Sequence, residues 1–114
     1  MDSYKLLITG GIPLVGETYV SGGKNTAVAV IPAVLLSDEI CVLENLPDIE
    51  DVRVLVDILR SLGAVVEYDG HARRMKIDPR PVESYQVPYQ QSQRMRASYY
   101  LLGALLGRCG RAEV

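Results

Sequence analysis

The residues whose types and spacing suit chemistry begin with Lys24 and Asn25, which close the run Ser21-Gly22-Gly23-Lys24-Asn25. This run follows a short segment of strand character and opens an apolar helical pattern. Glycines there let backbone N–H groups approach a ligand, and a helix N-terminus favours negative charge, so an ammonium at that point suits a phosphate or carboxylate. The run is not a nucleotide-binding P-loop. Position 18 is Thr where that motif opens on Gly, and Asn25 replaces the Ser or Thr that would hold magnesium. From composition alone, Lys24 reads first as a solvated first-turn lysine, with anion contact as the alternative.

Arg94 and Arg96 form the second candidate group. Two residues apart, they cannot share a helical face, so one can clamp a phosphate or carboxylate while the other pairs with a surface acid. Both also read as ordinary surface arginines. Arg73 and Arg74 read as a solvated edge that discourages strand pairing. His71, the sole histidine, lies in an Asp-Gly-His turn with no carboxylate or thiol spaced for a triad or a metal site. Cys109 stands between Arg108 and Gly110, but no base is spaced to assist it, and it reads as structural. Cys41 and Cys109 are far apart and lack a CxxC partner, so neither a zinc site nor a disulfide framework is expected.

These residues must be positioned by one domain of 114 residues, 48% hydrophobic and 23% charged. A chain of this size buries about 65% of its unfolded surface and needs no disulfide staple. With seven Tyr and no Phe or Trp, its core must be aliphatic. A net charge of -2 argues against holding nucleic acid by phosphate neutralisation, so any anion site is local. The N-terminus lacks the features of a signal peptide, and the longest apolar stretch, broken by Pro32, falls far short of the ~20 residues a membrane span needs. A cytoplasmic location with no membrane partner is the resulting expectation.

Tyr4 to Thr9 and Gly16 to Ser21 read as strands. From Lys24, apolar residues through Leu35 cover most of a helix circumference, with a kink or break expected at Pro32. Glu39 to Leu46 reads as a strand ended by Pro47. A helix is predicted over 49–62, with Asp48 as N-cap and Gly63 as the C′ residue. Ala64 to Tyr68 and Arg74 to Ile77 flank Asp69-Gly70-His71, where Asp-Gly is expected to supply positive φ for a tight hairpin. The tally over 16–78 is βαβαββ. Residues 78 to 88, with Pro79, Pro81 and Pro88, read as a linker. Ser92 to Gly107 is predicted helical, its apolar face formed by Met95, Tyr99, Leu102, Leu105 and Leu106, closed by Gly107 or Gly110. Arg111 to Val114 resembles the opening of a strand whose partner segment is absent.

Several motifs occur together in one order and spacing: Ser21-Gly22-Gly23-Lys24-Asn25, the stretch from Glu44 to Val52, Leu62-Gly63-Ala64, and Met95-Arg96-Ala97-Ser98. In this the chain resembles the N-terminal quarter of the UDP-N-acetylglucosamine 1-carboxyvinyltransferase family of enolpyruvyl transferases, which opens bacterial peptidoglycan synthesis. The resemblance implies an α/β (α+β) fold made of βαβαββ units in an inside-out α/β barrel, with a complete unit over 16–78 and a linker and truncated second unit over 79–114. Residues 1–15 would then supply a strand to the other domain of the full-length protein.

The resemblance further implies transfer of the enolpyruvyl group of phosphoenolpyruvate to the 3′-hydroxyl of UDP-N-acetylglucosamine, with no cofactor or metal. Lys24 matches the lysine that contacts phosphoenolpyruvate, Asn25 its neighbour beside the substrates, and Arg96 the arginine of the nucleotide-sugar region. Arg94 matches no family role. Gly23 departs from the family's more usual Ala. The family's catalytic cysteine loop would lie beyond Val114, and Cys109 is not that cysteine, so the chain alone is expected to be inactive and to be capable of self-association. The sister family of enolpyruvylshikimate phosphate synthases has Ser in place of Asn25. A non-catalytic, self-associating or ligand-binding domain is a further alternative.

Overall fold

The computed structural model describes residues 3–114, the side chains of Arg96 and Ala97 excepted. The core begins at the predicted helix head. Helix α1 spans Lys24–Ala33 and buries Ala27, Val28, Ile31 and Pro32. Pro32 lacks an N–H and cannot bond back to the preceding turn, and the helix tightens soon after it into a 3-10 turn over Val34–Leu36. The expected break is therefore a change of helical pitch.

Strand β1 is only Cys41–Leu43, shorter than the predicted run from Glu39 to Leu46. Asn45 leaves the extended region with φ of 56° and turns the chain, and the Leu46 amide donates to the Arg73 carbonyl at 3.1 Å. Helix α2, Glu50–Leu62, is the best-formed element, and its apolar residues are buried at helical spacing from Val52 to Leu62. Its end follows the prediction: Gly63 has φ of 111°, and the Ala64 amide reaches the Leu59 carbonyl at 3.0 Å. Its start does not. Ile49 is the N-cap, without a side-chain cap bond, and Asp48 instead accepts from Arg53 and from the Tyr68 hydroxyl.

Strands β2 (Val65–Asp69) and β3 (Arg74–Asp78) form the predicted hairpin. The three-stranded sheet is antiparallel throughout, in the order β1-β3-β2, with Val66 opposite Ile77 and Cys41 opposite the other side of Ile77. The hairpin turn differs from expectation. Positive φ falls on Arg73, at 54°, while Asp69 Oδ1 accepts the His71 and Ala72 amides at 3.0 Å each. Gly70 serves close approach, because a Cβ there would meet Asp48 Oδ1 at 2.8 Å. Arg74 lies on the central strand, paired with Asp69, and so is no sheet edge.

One face of the sheet buries Val66, Met75 and Ile77 against the helices, while Glu67 and Lys76 face outward. Residues 79–88 are less a free linker than a strap: Glu83 and Ser84 donate to the Leu62 carbonyl, and Val82 and Val87 are buried. The predicted third helix divides into α3 (Tyr89–Gln93), a 3-10 turn (Arg96–Tyr99) and α4 (Tyr100–Cys109). Its buried face keeps Met95 and Leu105 of the expected one and turns away from the rest. Leu101, Ala104 and Leu105 are buried, whereas Tyr99, Leu102 and Leu106 face solvent. Gly110, with φ of 70°, closes α4. The terminal segment does have a partner, since Gln86 and Glu113 form a parallel bridge.

Residues 3–22 form no strand. They run without regular structure and almost wholly exposed, so both predicted N-terminal strands are absent from the described residues. The physical reason is pairing: a strand needs a neighbour for its backbone groups, and the core sheet offers this segment no such ladder. From Lys24 to Asp78 the observed order is therefore αβαββ.

Candidate functional site

The turn that carries Lys24 is set by a backbone contact. Gly22 packs so tightly on the Asn45 turn that a Cβ would lie 1.9 Å from the Asn45 carbonyl oxygen. Only glycine fits there. Gly23 follows as the N-cap of α1, with a φ of -74° that any residue adopts, and the nearest obstacle to a Cβ is Thr26 Oγ1 at 3.7 Å. Beside this turn lies a cleft of about 360 Å³ whose lining includes Gly22, Gly23, Thr26, Asn45 and Pro47, with Lys24 and Asn25 outside it. A larger concavity, about 480 Å³, lies on the hairpin and is lined by Glu67, Asp69, Arg74 and Lys76 among others, with charges of both signs and none of the candidate residues.

Lys24 projects toward α2. Its Nζ lies 2.8 Å from Asp51 Oδ2, with the lysine side chain 61% exposed and the aspartate 24%. The ammonium is thus oriented by a carboxylate in the first turn of the neighbouring helix, on a side chain that stays largely exposed. Asn25 is exposed next to it on the first turn of α1. The backbone of Arg96 opens the 3-10 turn, and its side chain lies outside the described residues.

The remaining candidates separate cleanly. Arg94 pairs with Glu50 at 2.6 Å. His71 is an exposed turn residue whose amide donates to Asp69 Oδ1. Cys109 ends α4 in the exposed class, and Cys41 is half-buried; both are free thiols. Among the described residues, no cluster of three or more His, Cys, Asp or Glu side chains is placed to hold a metal, and no helix is long and apolar enough to cross a membrane. Asp48 gathers a small network at the start of α2. There, burial and then the Asp48 charge raise the Tyr68 phenol above its ordinary value.

Sequence reasoning missed Asp51 as the partner of Lys24 and Glu50 as the partner of Arg94. Acids in the first turn of a helix are explained locally by the helix dipole, so nothing in the spacing points to residues 27 or 44 positions away.

Comparison with known proteins decides the family. Residues 8–114 match the family model described as EPSP synthase (3-phosphoshikimate 1-carboxyvinyltransferase). The chain belongs to this family of enolpyruvyl transferases. It is 51% identical over 110 residues to UDP-N-acetylglucosamine 1-carboxyvinyltransferase 2 of Streptococcus mutans, and 48% identical over 111 residues to UDP-N-acetylglucosamine 1-carboxyvinyltransferase of Streptococcus pneumoniae. Each match covers 96% of this chain and 26% of the relative, so the chain spans about a quarter of the length of these enolpyruvyl transferases. The crystal structure of the enolpyruvyl transferase NikO from Streptomyces tendae superposes with a TM-score of 0.79 at 34% identity, over 90% of this chain and 24% of that one. The α/β class, with helices on one face of a small antiparallel sheet, is therefore that of an enolpyruvyl transferase.

Proposed function

We propose that this chain is the N-terminal part of an enolpyruvyl transferase that moves the enolpyruvyl group of phosphoenolpyruvate to the 3′-hydroxyl of UDP-N-acetylglucosamine, the first committed step of peptidoglycan synthesis, in the cytoplasm. The observation that carries this reading is the 47–51% identity, across 96% of the chain, to relatives bearing that activity in their names. The cleft bordered by Gly22 and Gly23, the glycines that lead into Lys24 and Asn25, supports the reading.

In the reaction, the sugar oxygen bonds to C2 of phosphoenolpyruvate as its hydroxyl proton is lost and C3 gains a proton; the C–O bond to phosphate then breaks from this tetrahedral intermediate as C3 gives up a proton and the enol double bond re-forms. Negative charge gathers on the phosphate and carboxylate, and fixed cations lower that barrier. Lys24 contacts phosphoenolpyruvate in this scheme, Asn25 stands beside the substrates, and Arg96 serves the nucleotide-sugar region. No cofactor or metal is required. In the full-length protein, residues 1–15 would supply a strand to the other domain, 16–78 the first βαβαββ unit, whose leading strand is not formed in this chain, and 79–114 the linker and start of a second unit. Chemistry also needs the family's catalytic cysteine, which is not Cys109 and which the resemblance sets beyond Val114, so the isolated 114-residue chain does not turn over.

The test has two arms. Phosphate release by the 114-residue chain in the presence of both substrates is expected to stay at background, and release dependent on both would refute the inactivity. Titration with UDP-N-acetylglucosamine is expected to move the backbone amides of Lys24 and Arg96, and silence at both positions would remove the binding role. The family description names the shikimate branch as the second reading. Asn25, where that branch has Ser, and the names of the relatives favour the sugar nucleotide. Shikimate 3-phosphate is accordingly expected to leave those amides unmoved.

A further inference from the structure

Arg94 has no part in the chemistry above, yet it joins two elements. Its Nη2 lies 2.6 Å from Glu50 Oε1 and its Nη1 3.9 Å from Asp57 Oδ2. Seven residues apart, these two acids lie two turns apart on one face of α2, so one guanidinium spans both. Helix α3 is five residues long and buries none of them. Beyond it, the buried Met95 is the apolar anchor, and the Ser92 carbonyl accepts the Met95 amide at 3.5 Å and Ser98 Oγ at 3.3 Å. The 3-10 turn that begins at Arg96 follows directly. On the other flank of the same helical turn, Asp51 holds Lys24. Consecutive acids of α2 thus reach to both candidate binding segments.

We propose that Arg94 is a positioning residue: clamped to Glu50 and Asp57, it holds the end of α3 on α2 and so restricts the turn Arg96–Tyr99 that follows, keeping it in register with the Lys24 turn. Both partners of the Glu50 pair are about half exposed or more, so the pair adds little to global stability. Its effect is local, restricting what the turn samples. The link to a bound sugar nucleotide rests on the proposed function, while the clamping of the turn does not.

The test uses Arg94→Gln, Glu50→Gln and the double variant in the 114-residue chain, with amide hydrogen exchange read by NMR. Either single change is expected to accelerate exchange at residues 96–99 roughly two- to fivefold, the range an exposed pair supports, with α2 and β3 unchanged. The double variant adds nothing further, Arg94→Lys keeps most of the protection, and 0.5 M salt erases the difference. UDP-N-acetylglucosamine affinity falls by a similar factor, while inorganic phosphate at the Lys24 turn is unaffected. Unchanged exchange at 96–99, additive single effects, or acceleration spread over the whole chain would each overturn the proposal. A wild-type chain that ignores the nucleotide defeats the functional reading instead, and the exchange arm still decides the role of Arg94.

Discussion

Two adjacent glycines head the candidate site, and they answer to different forces. Gly22→Ala forces a methyl into the Asn45 carbonyl, 1.9 Å away, and is expected to cost more than about 2 kcal/mol, read as a lowered urea midpoint. Gly23→Ala gains about 0.4–1 kcal/mol from a stiffer unfolded chain but loses a comparable amount because Ala is a poorer N-cap than Gly, so its midpoint stays within about 0.5 kcal/mol of the parent. A second residue-scale expectation concerns acid. Bidentate bonding from Arg80, with its backbone amide adding a third bond, lowers the Asp78 carboxyl from 3.8 to about 2. A depressed carboxylate stabilises the fold above its unfolded pKa and loses that contribution as pH falls toward the folded one. The Asp78 side-chain carbon should therefore titrate near pH 2 by NMR, and Arg80→Gln should return it toward 4. At this scale the sequence singled out Lys24 and Asn25 as candidates through glycine spacing and helix polarity. Asp51 and Glu50 stayed hidden, because their partners are chosen by how α1 and α3 pack on α2.

Between elements, one side chain ties together three parts of the chain. Arg108 of α4 donates to the Leu35 and Ser37 carbonyls at 2.9 and 3.1 Å and to the Pro79 carbonyl at 2.8 Å. It thereby satisfies the end of the 3-10 turn after α1 and fastens the strap that follows β3. Arg108→Met keeps the apolar stem but strands those acceptors, and a loss of about 1–3 kcal/mol is expected in thermal or urea unfolding. The sequence placed Arg108 near a helix end, where a cation suits the dipole, without showing which carbonyls it serves. Helix α2 and the hairpin were legible because their periods of 3.6 and 2 are set by burial on one side. The third helix was not: with Leu, Ala and Tyr all around it, residues 99–106 offer several apolar faces, and packing against α1 selects Leu101 and Leu105.

At the scale of the whole molecule, the radius of gyration of 16.8 Å exceeds the about 13 Å expected for a compact chain of this length, and the longest extent is 56 Å. The difference comes from residues 3–22, where Tyr4, Leu6, Leu7, Ile8, Ile12, Leu14, Val15, Tyr19 and Val20 are 73–98% exposed. Such a run of apolar residues with unpaired backbone invites association. The chain is expected to show a concentration-dependent mass in sedimentation equilibrium, and a variant beginning at residue 22 to remain monomeric with unchanged helical circular dichroism; equal masses for both would assign association elsewhere. The alternating residues of this segment read as strands because local pattern records which residues can pair and is silent on whether a neighbour is present. The close seat of Gly22 on the Asn45 turn also sets a boundary for digestion. A protease added in trace amounts meets an open substrate up to that contact and a folded one after it, so the fragment that persists still carries the lysine turn at its new amino end.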